Sequence, residues 1–198
     1  MHIGRRYSGY RMTTSKNGMR RVGVYCASAI GKDPAFQAEA EALGRGIAAA
    51  GMGLVYGGAI RGLMGVLANA ALAGGAEVVG VLPDALKGRE IAHNGITRLE
   101  LVGTMHERKA RINELSDVLI ALPGGYGTLD ELLEAVTWAQ IGLHQKPCIL
   151  VNTLNYWDGL LAFLDTAVEC GFVMPENRAL LRVAASAEEA LSMAGGIV

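Results

Sequence analysis

The sequence predicts an α/β protein in which a mostly parallel β-sheet is covered by helices on both faces. From residue 21 onward, short β-rich apolar runs alternate with longer stretches of helical periodicity, which is typical of parallel sheets whose strands are joined by helices. Several runs are apolar at consecutive positions, as expected for strands that are buried on both faces. The predicted strands are 21–26, 53–57, 76–83, 96–102, 117–123, 146–152 and 181–185.

Breaker residues delimit the helices between these strands. Asp33-Pro34 starts a helix that Gly51 ends, residues 62–73 form a second helix, and residues 156–170 form a late one. A chain of 198 residues suits one domain with a sizeable core. We therefore expect a single nucleotide-binding domain over residues 21–198. Residues 1–20 are basic and lack the apolar centre of a secretory signal, which predicts a flexible extension.

Composition narrows the classes of partner. The net charge is -1 and basic and acidic residues are interleaved, which argues against nucleic acid and against acidic membranes. No apolar stretch approaches the roughly 20 residues of a membrane span. Cys26, Cys148 and Cys170 lie far apart with no CxxC spacing, which disfavours a zinc site and a disulfide framework. We expect buried thiols, a cytoplasmic protein without a metal, and a small anionic ligand.

Two glycine-rich turns stand at predicted strand ends. The first carries Gly57, Gly58 and two further glycines, and the second is LPGGYGTLDE at 122–131. Glycine lets the backbone approach a ligand, and unpaired N–H groups at a helix N terminus favour an anion such as phosphate. Neither turn matches the P-loop or the GxGxxG signature. Tight turns whose glycines serve backbone geometry alone are the alternative.

Arg108 occupies an unusual position for a guanidinium. Thr104 is expected to cap a helix in which Arg108 shares the apolar stripe of Met105 and Ile112. An unpaired buried charge costs several kcal/mol, so a desolvated Arg108 should meet a carboxylate or a ligand phosphate. Alternatively, its stem packs at the stripe's edge while its head reaches water. Lys109 lies on another face and is expected to be solvated.

Glu131 has two possible roles. Residues 128–131, Thr-Leu-Asp-Glu, match a capping box with Thr128 as N-cap and Glu131 at the third helical position. Capping alone would explain both residues. A carboxylate at an anion-binding turn, joined there by a buried arginine, would also have the parts to cleave a glycosyl phosphate. Spacing leaves both interpretations open.

Four segments carry a resemblance to a known family. They are YGGAIRGLMG (56–65), MHERKA (105–110), LPGGYGTLDELLEAVTWAQIG (122–142) and KPCILVN (146–152). In order and spacing they resemble the Lonely Guy family of cytokinin riboside 5'-monophosphate phosphoribohydrolases. The hallmark PGGxGTxxE is complete from Pro123 to Glu131, and the likeness runs from about residue 21 to the C terminus.

The resemblance implies a modified Rossmann fold and a homodimer with sites near the dimer interface. It implies hydrolysis of the N-glycosidic bond of an N6-modified adenosine 5'-monophosphate, releasing free base and ribose 5-phosphate without any cofactor. Arg108 and Glu131 would be the catalytic pair. The residues implied to contact the nucleotide are Gly57, Gly58, Glu90, Lys109, Gly124, Gly125, Tyr126, Gly127, Thr128, Leu129, Asp130 and Thr137.

One departure and three rival functions accompany the resemblance. Relatives usually read GGGSVGLMG in the first turn, where this chain has Ala59, Ile60 and Arg61; we expect these changes to affect substrate preference more than reaction class. Many relatives carry the label lysine decarboxylase, but that chemistry normally needs a pyridoxal phosphate lysine, for which no motif appears. The other rivals are a non-catalytic nucleotide or cofactor carrier and a general AMP nucleosidase.

Overall fold

The computed structural model describes residues 20–86 and 92–195. Within them the strands are β1 (Arg21–Tyr25), β2 (Gly53–Tyr56), β3 (Val78–Pro83), β4 (Arg98–Val102), β5 (Val118–Ala121), β6 (Cys148–Val151) and β7 (Leu181–Ala184). The helices are α1 (Pro34–Ala49), α2 (Gly62–Ala73), α3 (Met105–Leu115), α4 (Tyr126–Gln140), α5 (Asp158–Glu169), α6 (Pro175–Arg178) and α7 (Ala187–Gly195). The predicted extension at 1–20, apart from residue 20, and Glu90 lie outside the described residues.

The strands form one parallel sheet in the order β4-β3-β2-β1-β5-β6-β7. Neighbouring residues of a strand point to opposite faces, so Val24 belongs to a core with α1, α2 and α7, while Tyr25 belongs to a second core with α3, α4 and α5. Both faces of the sheet are therefore covered, which confirms the predicted fold class.

Local sequence explains most helix boundaries. The Asp33 side chain accepts a hydrogen bond from the Ala35 N–H and Pro34 opens α1, as predicted. The second helix has the predicted bounds. The late helix, Asp158–Glu169, starts two residues later and ends one residue earlier than predicted. It is preceded by a 3-10 turn at 153–155, which ends at the cap residue Tyr156 and in which Leu154 and Asn155 have φ of 54 and 58°.

The strand order determines where a ligand can bind. Strands β2 to β4 extend the sheet on one side of β1, and β5 to β7 extend it on the other. The loops after β1 and β5 therefore lead to helices on opposite faces of the sheet, α1 and α4. The crevice between the carboxyl ends of two such strands is the usual binding place in this architecture. The second glycine-rich turn follows β5 at this crevice.

Two further expectations concern single features of the chain. Cys26 and Cys148 are buried as predicted, but Cys170 is exposed; it follows α5, a helix in which no residue is fully buried. Among the described residues, no helix combines the length and the hydropathy that crossing a membrane requires.

Candidate active site

A cavity of about 280 Å³ opens at the carboxyl ends of β1 and β5, close to the lower end of the range for small-molecule pockets, roughly 300 Å³. One wall is the loop after β1 and the other is the N-terminal part of α4. Its lining residues are Cys26, Ala27, Ser28, Ala29, Met64, Arg108, Gly125, Tyr126, Gly127, Thr128 and Glu131.

Helix α4 begins earlier than the capping box predicted. Its first residue is Tyr126 and its N-cap is Gly125, without a side-chain cap, so the prediction of Thr128 as N-cap is wrong. Thr128 lies in the first turn and is buried, and its hydroxyl occupies the space that a Cβ on Gly124 would need, 2.0 Å away. Because α4 starts at Tyr126, the N–H groups of residues 126–128 have no intrahelical acceptor. All three residues line the cavity.

Glu131 consequently lies one turn inside α4 and not at a capping position. The capping explanation for this residue is wrong, because the unpaired N–H groups belong to the residues before it. Its side chain lines the cavity although only 8% of the residue is exposed.

Arg108 is desolvated and paired, as the helical stripe predicted. Only 6% of the residue is exposed, so the alternative with a solvated head is wrong. Its Nε donates to the Val81 carbonyl oxygen at 3.1 Å and its Nη2 to the Gly57 carbonyl oxygen at 3.2 Å. Its Nη1 lies 3.2 Å from Glu131 Oε1. Three parts of the chain thus fix the guanidinium beside the cavity.

Lys109 is buried, so the expectation of a solvated side chain is wrong. Its Nζ lies 3.0 Å from Asp130 Oδ2 and 2.8 Å from Glu134 Oε2. Burial alone would lower the pKa of Lys109, but the hydrogen bonds that its Nζ donates to Glu134 and Asp130, together with their charges, outweigh burial and raise that pKa. The charged lysine of α3 therefore binds two carboxylates of α4, one just before and one just after Glu131 in the sequence.

Two weak acids next to Glu131 are held neutral. Burial first, and the negative charge of Glu131 second, raise the pKa of the Tyr25 phenol well above its ordinary value. The same two causes raise the pKa of the Cys26 thiol, which lines the cavity. At neutral pH, neither Tyr25 nor Cys26 therefore adds an anion beside the Arg108–Glu131 pair.

Several residues of the predicted contact set lie away from the cavity lining. Gly57 contacts Arg108, and Asp130 contacts Lys109. Gly58 lies next to Leu82 and Leu99. Thr137 is exposed on α4 and donates to the Leu133 carbonyl oxygen at 2.7 Å. Leu129 is half-buried against the core beneath α4.

None of the three residues that depart from the family pattern in the first turn is a cavity-lining residue. Ala59 is fully buried and forms an isolated bridge with Ala92, whereas Ile60 and Arg61 are exposed. Gly62, directly after Arg61, packs against the backbone of Ser28 and Ala29 in the cavity wall. The expected effect of these three residues on substrate preference therefore stays a prediction.

Sequence reasoning missed the loop after β1. Cys26, Ala27, Ser28 and Ala29 form a cavity wall, and Met64 of α2 joins them. The run of small residues directly after the first strand could have indicated a cavity wall, because ligands bind at the strand ends of parallel sheets.

Comparison with known proteins gives close relatives over most of the chain. Residues 64–193 match the family described as possible lysine decarboxylase. A cytokinin riboside 5'-monophosphate phosphoribohydrolase of Arabidopsis thaliana is 44% identical over 178 residues, which cover 90% of this chain and 82% of that protein. An enzyme of the same name from Oryza sativa subsp. japonica is 44% identical over 174 residues, 88% and 72% of the two chains.

Solved structures share the fold at lower identity. A molybdenum cofactor binding protein from the phototrophic bacterium Rippkaea orientalis is 26% identical, with a TM-score of 0.70 over 90% of this chain and 97% of that one. A molybdenum cofactor carrier protein from Chlamydomonas reinhardtii, 22% identical with a TM-score of 0.66, covers the same shares of the two chains and shows the fold alone.

Proposed function

The chain belongs to the family of cytokinin riboside 5'-monophosphate phosphoribohydrolases, and from that premise we propose that it hydrolyses the N-glycosidic bond of an N6-modified adenosine 5'-monophosphate. The products are the free base and ribose 5-phosphate. The observation that carries the proposal is the buried pair of Arg108 and Glu131, 3.2 Å apart, on the wall of a cavity that also contains the uncapped N terminus of α4.

The N terminus of α4 provides the phosphate anchor. Tyr126, Gly127 and Thr128 present backbone N–H groups without intrahelical acceptors, and the helix dipole favours an anion there. No lysine or acidic side chain stands among residues 125–128, so the anchor is made of backbone and does not repel the phosphate.

Glu131 then lies where the sugar would react. It follows the anchor by about one helical turn, roughly 5.4 Å along the axis. The reaction breaks the bond between ribose C1' and the purine nitrogen, adds the hydroxide part of water to C1', and leaves the remaining proton on the departing base. The Glu131 carboxylate stabilises the positive charge that develops on the sugar or takes the proton from the attacking water. Arg108 keeps that carboxylate oriented toward the cavity.

Lysine decarboxylation does not suit this cavity. That reaction normally uses pyridoxal phosphate bound to a lysine as a Schiff base. Among the described residues, none of the cavity-lining side chains is a lysine, and Lys109 is committed to two carboxylates. The side chains present therefore do not fit that cofactor.

A carrier without catalytic activity is the second candidate, favoured by the likeness to the molybdenum cofactor binding protein of Rippkaea orientalis. A carrier needs the phosphate anchor but has no use for a carboxylate held beside the sugar. The buried Arg108–Glu131 pair therefore favours the enzyme.

The proposal includes a homodimer with sites near its interface. Leu133 and Thr137 lie four residues apart on one face of α4, and the C-cap residue Ile141 follows after four more. All three are exposed. An apolar stripe of this kind suits a second copy of the chain. Packing against that stripe is also the arrangement in which Thr137 could approach a nucleotide.

The test is incubation of the purified protein with isopentenyladenosine monophosphate, with AMP and with the unphosphorylated isopentenyl riboside, followed by chromatography of the free base. We expect release of free base from the modified monophosphate and little release from the riboside. No base from any monophosphate would refute the enzyme and favour the carrier. Equal rates on the riboside would refute the phosphate anchor, and equal rates on AMP would favour a general AMP nucleosidase.

A further inference from the structure

The pocket that holds Arg108 has room for its guanidinium only because residue 57 lacks a side chain. The Gly57 carbonyl oxygen accepts a hydrogen bond from Arg108 Nη2. A Cβ atom on residue 57 would lie 2.0 Å from that same Nη2 and 3.1 Å from Arg108 Cζ. Non-bonded atoms do not approach so closely, so an alanine at this position would displace the guanidinium from its acceptors.

The backbone of Gly57 gives no other reason for glycine. The glycines of this turn with positive φ are Gly58, at 79°, and Gly62, at 62°. Alanine at position 57 is therefore free of backbone strain, and its effect must come through the atoms that its Cβ meets. Apart from Arg108, the nearest is Met64 Sδ at 2.9 Å, which belongs to a flexible side chain.

The guanidinium, by contrast, has little freedom to yield. It is bound by the Val81 carbonyl of β3, by the Gly57 carbonyl after β2 and by Glu131 of α4. If the guanidinium shifts away from residue 57, its contact with Glu131 changes too. The reason is that Nη2, which binds Gly57, and Nη1, which lies against Glu131, belong to one planar group.

We propose that Gly57 is a positioning residue, whose carbonyl oxygen and missing side chain hold the Arg108 guanidinium against Glu131. The expected effect of Gly57 on turnover rests on the proposed function, whereas its expected effect on Tm does not. The first glycine-rich turn thus holds the catalytic arginine, and the N terminus of α4 alone holds the phosphate. Gly57 acts through Arg108 and does not touch the substrate.

A double-mutant cycle tests this role with Gly57→Ala, Arg108→Lys and the double variant. Lysine ends before the position of Nη2 and so leaves space for the added Cβ. Gly57→Ala should lower kcat on the order of 10²-fold while KM changes less than about threefold, because the phosphate anchor is untouched. It should also lower Tm by roughly 3–10 °C. In the Arg108→Lys background, the same substitution should change Tm by less than about 1 °C and add no loss of turnover.

Gly53→Ala is the matched control at the start of β2, the strand that ends directly before Gly57, because the three atoms nearest to its Cβ would belong to Arg21 and Glu77, at 3.1 Å or more. It should retain the wild-type kcat. Recovery of folding in the double variant, if Gly57→Ala alone does not fold, would support the proposal. If Gly57→Ala lowers Tm equally in the wild-type and Arg108→Lys backgrounds, the effect comes from Met64 or the backbone and the proposal is overturned. Wild-type turnover of the Gly57→Ala variant would also overturn it. If the wild-type protein released no base, the proposed function would fail, while the coupling in Tm would still decide the role of Gly57.

Discussion

At the residue scale, the Glu131 carboxylate is the group on which the proposed chemistry depends. Glu131→Gln keeps the shape of the side chain and an oxygen for Arg108, but it removes the charge and the proton acceptor. We expect turnover to fall on the order of 10²–10⁴-fold. Tm should change by only a few degrees, because Arg108 keeps its two carbonyl acceptors. Base release and calorimetry measure the two effects.

Glu134→Gln is the matched control on the same helix. Glu134 contacts Lys109 and is absent from the cavity lining, and Lys109 keeps Asp130 as a partner when Glu134 loses its charge. This variant should retain most of the turnover. Wild-type turnover in Glu131→Gln would show that Glu131 has no catalytic part.

Single residues also show where sequence reasoning succeeds and where it fails. Arg108 could be recognised because helical periodicity places it among apolar side chains regardless of the tertiary fold. The prediction of Thr128 as N-cap fails because a Thr-x-x-Glu pattern resembles a cap wherever it occurs, whereas Gly125 is the N-cap here and Thr128 packs against Gly124. The helix start depends on that packing, which no local pattern encodes.

At the scale of elements, Lys109 joins α3 to α4. Lys109→Met should lower stability by about 1–2 kcal/mol, because Asp130 and Glu134 lose their partner but can still reach water. In a chain of this size that corresponds to a decrease in Tm of roughly 2–8 °C. Lys32→Met, at an exposed position, is the control and should leave Tm unchanged. A Lys109→Met protein as stable as the wild type would contradict the role as a link.

His93 connects the segment after residue 91 to α2 and makes stability depend on pH. Its Nδ1 accepts from the Gly95 N–H, so the proton lies on Nε2, which donates to Asn69 Oδ1 at 2.9 Å. Burial lowers the pKa of His93. The unfolded chain therefore takes up a proton more readily, and this stabilising contribution is present above about pH 6.5 and is lost as pH falls below it.

The comparison with His93→Gln isolates this effect. The Tm advantage of the wild type over the variant should shrink from pH 8 to pH 5, since His144 and the other titrating groups are present in both proteins. An advantage that stayed constant or grew as pH fell would contradict the assignment of a neutral, buried imidazole.

The elements themselves follow largely from the sequence, but their contacts do not. The five inner strands are buried on both faces and appear as largely apolar runs, which made them recognisable. The edge strands β4 and β7 are partly exposed and contain charged residues, and they were recognisable only as short β-rich runs. Lys109 was not recognised as buried because its partners lie 21 and 25 residues away on another helix. The loop after β1 was not recognised because small residues carry no chemical signal until the sheet brings them opposite α4.

At the scale of the whole molecule, the exposed apolar face of α4 predicts a dimer. Ile141 is 62% exposed, and Ile141→Glu would place a charge within the proposed interface, where desolvation disfavours it. Sedimentation should show the wild type as a dimer and this variant as a monomer. Leu154→Glu, at a residue outside α4 that is 58% exposed, should remain dimeric. A monomeric wild type would contradict the dimer.

The central claim is that water attacks the sugar carbon while the phosphate stays in place, and the position of the added oxygen tests it most directly. The purified protein is incubated with isopentenyladenosine monophosphate in H₂¹⁸O, and the products are analysed by mass spectrometry. Cleavage at the cavity of Arg108 and Glu131 predicts free isopentenyladenine together with ribose 5-phosphate that carries one ¹⁸O, at early times above the level that authentic ribose 5-phosphate acquires by exchange in the same H₂¹⁸O buffer. Label in inorganic phosphate, with the intact riboside as the other product, would contradict the account.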